Sequence, residues 1–197
     1  SQGNILCLDY IDSKEILFQV NYSHCLIASS IKQLRFYKER YKNKLIHLVT
    51  HHVDPRLSRV KKKKEFTNLK IGYFGEEKNG LYIDQLKKFI YPHFISTKKQ
   101  GERNWFNKVQ NYNGHYIARK INANEVHKPF LKGFTAAFTN ANVLVGLDEG
   151  DSSFYLGNDY PYIIKDKSIE SVIEMIQFME KTFNSKIWFN GLEIMKD

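Results

Sequence analysis

Four cations in this chain stand where a folded backbone would present them to an anion. Lys128 and Lys132 flank the predicted start of a helix, where unpaired N–H groups and the helix dipole favour negative charge. Arg119 and Lys120 close a predicted strand, His115 to Ala118. A loop bounded by Gly75 and Gly80, carrying Lys78 and Asn79, follows another predicted strand, a layout that brings backbone N–H groups to a phosphate. Glu149 follows a third strand, and a carboxylate there can accept two hydrogen bonds from a vicinal diol such as that of a ribose. In an open parallel sheet all these positions come to one edge, which predicts a single crevice with cations at a diphosphate end and a carboxylate at a ribose end. The bland alternatives are solvated lysines, a turn carboxylate at Glu149, and His51 and His52 as residues packed between lobes rather than acid/base groups.

The elements that must place these groups follow from periodicity. Pro129 is acceptable at a first helical position, and Phe130, Phe134, Ala137, Phe138 and Ala141 then recur at helical spacing, with Asn142 as the stop. Val143 to Val145 reads as a buried strand, and Asp148 to Asp151 as an acidic turn at its carboxyl end. Upstream, Asn4 to Ile11 is a β-rich run, Ile16 to Val20 fits a strand or a short helix, and Cys25 to Ala28 is a buried strand. Ser30 to Gln33 has the form of a capping box opening a helix, followed by a strand at Leu45 to Val49. Leu69 to Phe74 is a strand, and Leu81, Ile83, Leu86, Phe89 and Ile90 suggest a helix after it. His93 to Ile95 suggests a strand, Lys98 to Asn113 a polar loop with a helical turn, and Asp159 to Ile164 a strand or edge segment. Ser168 caps an amphipathic helix, and a last helix spans about Ile187 to Met195.

The composition, 197 residues with 42% hydrophobic and 26% charged, is that of a globular chain with room for one or two cores. No run approaches the roughly 18 apolar residues of a spanning helix, no basic-then-apolar leader pattern is present, and a cytoplasmic location is expected. Contact with a membrane surface stays open. The net charge of +9 points to an anionic partner without choosing one. Nucleic acid is the weakest choice, because the basic run Lys61 to Lys64 has no interleaved aromatics for stacking. Cys7 and Cys25 sit in apolar strand-like contexts and are expected to be a buried thiol pair. The residue types and spacings call for no metal and no cofactor. Between Arg56 and Asn68 the apolar content drops, so this segment is expected to be an exposed, irregular linker between a unit at 1–55 and a larger one at 69–197.

The string Ser23 to Ser30, the helix after it, and Ile46 to Pro55 resemble the interdomain passage of nucleotide-sugar glycosyltransferases with two Rossmann-like domains, the GT-B type. His51 to Asp54 replaces the family's asparagine-glycine-valine-aspartate-like linker. The likeness runs from about residue 20 to the end by order of elements. It implies an α/β fold, a Rossmann-like mostly parallel sheet with helices on both faces, that serves as the donor domain behind a shortened N-terminal part. It also implies transfer of a sugar from a nucleoside-diphosphate sugar to an acceptor of unknown kind, glycan, lipid or protein. In this likeness Asp148, Glu149 and Asp151 lie near the sugar or ribose and Ser152 and Ser153 near the diphosphate, completing the expected binding set of Gly75, Lys78, Asn79, Arg119, Lys128, Lys132, Glu149, Asp151 and Ser152. The sequence departs from the family where its phosphate-binding Arg would stand, at Glu76, with Lys78 left to supply a cation. The catalytic residues are unknown from sequence. About 55 residues precede the linker, fewer than the roughly 100 of a full domain, which keeps open a non-catalytic nucleotide- or sugar-binding module and, third, a basic nucleic-acid-binding protein. The first residue is Ser rather than Met, which fits a chain with an upstream part.

Overall fold

A computed structural model of the chain describes residues 3–10, 15–60, 65–95, 104–120, 127–147 and 149–196. The strands form two separate sheets. Strands β1 (Cys7–Asp9), β2 (Cys25–Ala28) and β3 (Leu45–Leu48) pair in the order β1-β2-β3, both pairs parallel. Helix α1 (Leu17–Tyr22) resolves the ambiguous Ile16 to Val20 segment as helix. Helix α2 (Ile31–Arg40) packs on the sheet, and Tyr10, Val20, Leu26, Ala28 and Tyr37 make its small core. The expected capping box is only half formed. Ser30 Oγ accepts from Gln33 N at 3.0 Å, but Gln33 Oε1 reaches past the cap to Ser29 N, at 2.7 Å, while its Nε2 donates to the Tyr10 carbonyl. Cys7 and Cys25 are register partners and both free thiols, but Cys7 is exposed, so they are not a buried pair.

The second sheet contains β4 (Ile71–Gly75), β5 (Ile90–Phe94), β6 (Gly114–Tyr116), β7 (Asn142–Gly146) and β8 (Ile163–Ile164), ordered β5-β4-β6-β7-β8, with every pair parallel. All five residues of β7 are buried, as expected of a parallel strand covered on both faces. The covering helices are α3 (Trp105–Val109), α4 (Leu131–Phe138), α5 (Ser152–Leu156), α6 (Ile169–Lys181) and α7 (Lys186–Ile194). Ser168 Oγ caps α6 through Ser171 N, and Ser185 Oγ caps α7 through Trp188 N.

Three further expectations change. Leu81 to Phe89 forms successive hydrogen-bonded turns rather than a helix, with Tyr82 at φ 53°, while Ile83 and Leu86 still reach the core and Ile90 opens β5. Helix α4 begins at Leu131 and ends at Phe138, and Asn140, at φ 57°, turns the chain. Pro129 therefore lies outside it, and Asn142 starts the next strand instead of stopping the helix. The start of the supposed linker is folded: Pro55–Arg59 is a 3-10 turn capped by Asp54, and its Leu57 is buried with Phe74 and Val109. The Arg56 guanidinium lies 4.8 Å over the Phe106 ring, so this turn holds α3 against β4. Leu57 and Val60 set among charged residues are too weak a signal to reveal that docking. Lys61 to Lys64 lie outside the described residues.

Tyr160 locks β7 to the segment before β8. Its hydroxyl accepts from Val143 N at 2.7 Å and lies 3.0 Å from the Val143 carbonyl and 3.2 Å from Asn142 Oδ1. Burial raises its pKa well above the ordinary range, so it stays protonated as a donor. Tyr160→Phe is expected to cost about 1–3 kcal/mol by leaving Val143 N–H unsatisfied in the core. Chemical denaturation with an unchanged m-value checks this, and an unchanged midpoint would show that the hydroxyl is not needed.

Candidate functional site at the strand ends

The strand order reverses between β4 and β6, and ligands of open parallel sheets bind outside the carboxyl ends of strands near such a point. Two adjoining cavities lie at this edge. One, about 220 Å³, is lined by Arg119, Lys128, Leu131, Lys132 and Glu149, and by His51 from the chain just beyond β3. Four of the residues expected to share a crevice therefore do so: Arg119, Lys128, Lys132 and Glu149. The other cavity, about 320 Å³, shares Ile117, Leu131 and Lys132 with it and includes Gly75 and Glu76 in its wall.

Local structure explains the convergence. Gly150 has φ 56°, and a Cβ there would stand 2.9 Å from the Lys128 carbonyl oxygen. A glycine is thus required to bring the acidic turn against the start of α4, which puts Glu149 beside Lys128. At Gly75 a Cβ would stand 2.7 Å from Lys132 Nζ, so the missing side chain makes room for that ammonium. Lys132 Nζ also lies 4.8 Å over the Tyr73 ring, and burial pushes the Tyr73 hydroxyl up to about 12. No side chain caps α4, in contrast to the Ser-capped α2, α6 and α7. Its start, Leu131 and Lys132, and the segment leading into it from Lys128 line the charged cavity.

Glu149 is tethered at one oxygen. Its Oε1 accepts from Arg119 N at 2.8 Å and pairs with Lys167 Nζ at 2.9 Å. Its Oε2 is buried and has no hydrogen-bond partner among the described residues.

The remaining expected binding residues stand elsewhere. Lys78 is exposed and pairs with Glu76 at 3.1 Å, and Asn79 Nδ2 meets the same carboxylate at 3.5 Å. Their loop is fastened to the end of β6 by Lys120 N donating to the Asn79 carbonyl and Leu81 N to the Ala118 carbonyl, and neither Lys78 nor Asn79 lines either cavity. Asp151 is 2% exposed, and its carboxylate accepts from Ile31 N at 2.7 Å and Lys32 N at 3.1 Å. It caps α2 from the other sheet, so one anion-attracting helix end is already filled by a protein carboxylate. Ser152 Oγ donates to the carbonyls of Gly146 and Leu147 and closes the acidic turn, while Ser153 is exposed. Asp148 lies outside the described residues. Among the described residues no group of three His, Cys, Asp or Glu is placed to hold a metal ion, and no helix is long and apolar enough to cross a membrane.

No family model matches the chain, and no curated protein matches it in sequence. Solved structures do match its fold. A glycosyltransferase from Rickettsia africae superposes with a TM-score of 0.65 at 10% identity, covering 96% of this chain and 64% of that one. The S. aureus protein TarM, solved as a mutant with fondaparinux, α-GlcNAc-glycerol and UDP, gives 0.59 at 13%, covering 90% and 41%. Sucrose-phosphate synthase from Thermosynechococcus elongatus gives 0.57 at 12%, covering 88% and 54%. The chain has the GT-B glycosyltransferase fold. It spans less than two thirds of the length of each of these glycosyltransferases. In this chain His51 lines one cavity with the start of α4.

Sequence reasoning weighed an acid/base role for His51 against packing between lobes and favoured packing, and it missed His115. The available signal for His51 was its place just past the carboxyl end of a strand. For His115 it was an imidazole inside an otherwise apolar strand. His115 is fully buried, and desolvation pulls its pKa down to about 4, against the opposing effect of a hydrogen bond to the Val109 backbone.

Two outcomes are expected. Asp151→Ala removes the cap on Ile31 and Lys32, costs about 1–2 kcal/mol, and speeds hydrogen exchange at those two amides first. Uniform exchange along α2 would show that the cap is not what holds it. Because the unfolded state protonates His115 at a higher pH than the folded state does, stability should be complete above about pH 6.5 and fall as the pH drops toward 4. The loss from this group should reach about 3 kcal/mol. Replacing His115 by Phe should remove that component from the pH profile of unfolding.

Proposed function

We propose that this chain is the donor-binding portion of a glycosyltransferase that takes a nucleoside-diphosphate sugar. The observation that carries this reading is the cavity in which Arg119, Lys128, Lys132, Glu149 and an uncapped helix start come together at the carboxyl edge of a parallel sheet. Cations and helix N–H groups stabilise a diphosphate, and Glu149 Oε2 accepts from a sugar or ribose hydroxyl. The division into a first unit through residue 55 and a donor unit from 69 belongs to this reading, as do an acceptor contributed largely from outside the donor unit and a cytoplasmic setting.

The chemistry such a site performs is electrostatic. As the bond between the anomeric carbon and the phosphate oxygen breaks, negative charge grows on the departing diphosphate. Fixed cations and amides aimed at that charge lower the barrier without having to reorganise. His51, from the chain just beyond β3, lines the same cavity.

Lys132→Ala tests the assignment. Binding of a nucleoside diphosphate, measured by calorimetry, is expected to weaken by about 1.5–3 kcal/mol, roughly 10- to 150-fold, while stability falls by about 1 kcal/mol or less from the lost contact with Tyr73. Equal affinity in parent and variant would remove the anion site. Binding that depends on Lys132, without transfer to any acceptor by the full-length protein, would mark a non-catalytic nucleotide-binding module instead.

A further inference from the structure

The chain's two cysteines stand outside the candidate site. Cys7 of β1 and Cys25 of β2 are register partners on parallel strands, and such partners present their side chains to the same face of a sheet. Neighbouring strands run about 4.7–4.9 Å apart, within the roughly 4.4–6.8 Å between Cα atoms that a disulfide spans. The register is clamped one residue earlier in both directions. His24 N donates to the Leu6 carbonyl at 2.8 Å, and Leu6 N donates to His24 Nδ1 at 2.9 Å. The next row, Leu8, Leu26 and Ile46, packs in the core with Tyr37 of α2, so the cysteine row faces the other side, where Leu45 of the same row is 67% exposed. The two thiols differ in setting. Cys7 is exposed and Cys25 is buried. A hydrogen bond to Cys7, with burial adding to it, raises the pKa of Cys25, so the inner thiol keeps its proton while the outer one meets solvent. Use of cysteine as a small apolar residue accounts for Cys25 but not for Cys7.

We propose that Cys7 and Cys25 are a redox modification site, oxidised to a β1–β2 disulfide by a low-molecular-weight disulfide and returned to thiols by a low-molecular-weight thiol. The Cys7 thiolate attacks one sulfur of the small disulfide, forming a mixed disulfide and expelling one thiolate, which takes up the proton that Cys7 lost. Cys25 then gives up its proton and attacks Cys7 Sγ, which closes the protein disulfide and expels the second thiolate to be neutralised by that proton. Two protein thiols are oxidised, and one small disulfide is reduced to two thiols. In reducing compartments disulfides of this kind are transient and sensing rather than structural. The bond closes a loop that carries α1 and pins β1, which stands at the edge of its sheet beside β2. Tyr10, the residue after β1, holds α2 through its carbonyl, 3.0 Å from Gln33 Nε2, and α2 is the helix whose start Asp151 caps. Oxidation therefore stiffens the unit on which the acidic turn of the candidate site rests.

The test is to reduce the full chain, transfer it to glutathione disulfide in native buffer, and follow free thiols and intact mass in the parent, Cys7→Ser and Cys25→Ser. The parent should lose both thiols and about two mass units, retain no adduct, and recover its thiols in excess glutathione. Cys25→Ser should stop with one glutathione on Cys7, and Cys7→Ser should react about tenfold or more slowly than Cys25→Ser, because its thiol is buried. Closure of the mixed disulfide should be about tenfold or more faster in the native parent than in the parent unfolded in urea, since the folded sheet holds the sulfurs together. The oxidised parent should melt about 5 °C or more above the reduced parent, a gain that neither variant shows after the same treatment. A parent that keeps both thiols or a glutathione adduct, that closes no faster folded than unfolded, or that forms disulfides only between separate chains overturns the proposal. The native and urea rates need no variant, so the comparison decides even where a serine variant fails to fold.

Discussion

Every pairing in the five-stranded sheet is parallel, and this constraint governs where chemistry can occur. A parallel strand can be reached only by a connection that crosses a face of the sheet, so the segments leaving β4, β6 and β7 emerge at one edge. Cations that lie scattered from residue 119 to 132, and a carboxylate at 149, are thereby brought within one cavity. The helices that make the crossings start at the same edge. A helix start without a side-chain cap, as in α4, adds its own N–H groups to the field of those cations.

Two close approaches turn that edge into a shaped site. Gly150 lets the acidic turn press on the backbone at Lys128, and Gly75 leaves room for the Lys132 ammonium against Tyr73. Glu149 is held at one oxygen by Arg119 N and Lys167, which fixes the orientation of the other. A carboxylate so tethered loses little rotational freedom on meeting a ligand, which is the physical content of preorganisation. Asp151, two residues on, binds the opposite way: it spends both oxygens on the start of α2 and so couples the acidic turn to the smaller sheet. The turn after β7 therefore connects the candidate site with the neighbouring unit through successive carboxylates of different function.

The first sheet is thinly covered. Leu45, Leu48 and Val49 on and beside β3 are exposed, as are Leu17, Phe18 and Tyr22 of α1. The larger unit, by contrast, has a contiguous core that runs from Ile71 to Met195. The charged cavity is built almost wholly by the larger unit, with His51 as the contribution from the smaller one.

Much of this was legible in the residues themselves. Apolar runs of period two or of unbroken hydrophobicity marked β2, β4, β6 and β7. Helical spacing behind a Ser cap marked α2 and α6, spacing alone marked α7, and together these imposed the alternating α/β order that only a mostly parallel sheet can satisfy. The clustering of Arg119, Lys128, Lys132 and Glu149 followed from that order, because topology alone sends strand ends to one edge. What sequence could not decide was partnership at long range. Asp151 and Glu149 are carboxylates in the same turn, and only the tertiary structure assigns one to amides 119 and 120 residues away and the other to a cavity wall. Lys78 and Asn79 looked available because their loop follows a strand, yet fastening to β6 turns them away from the cavities. His115 reads from sequence as a polar interruption in a strand. Its lowered pKa comes from burial, opposed by the hydrogen bond to the Val109 backbone, and neither exists until the sheet and α3 have packed.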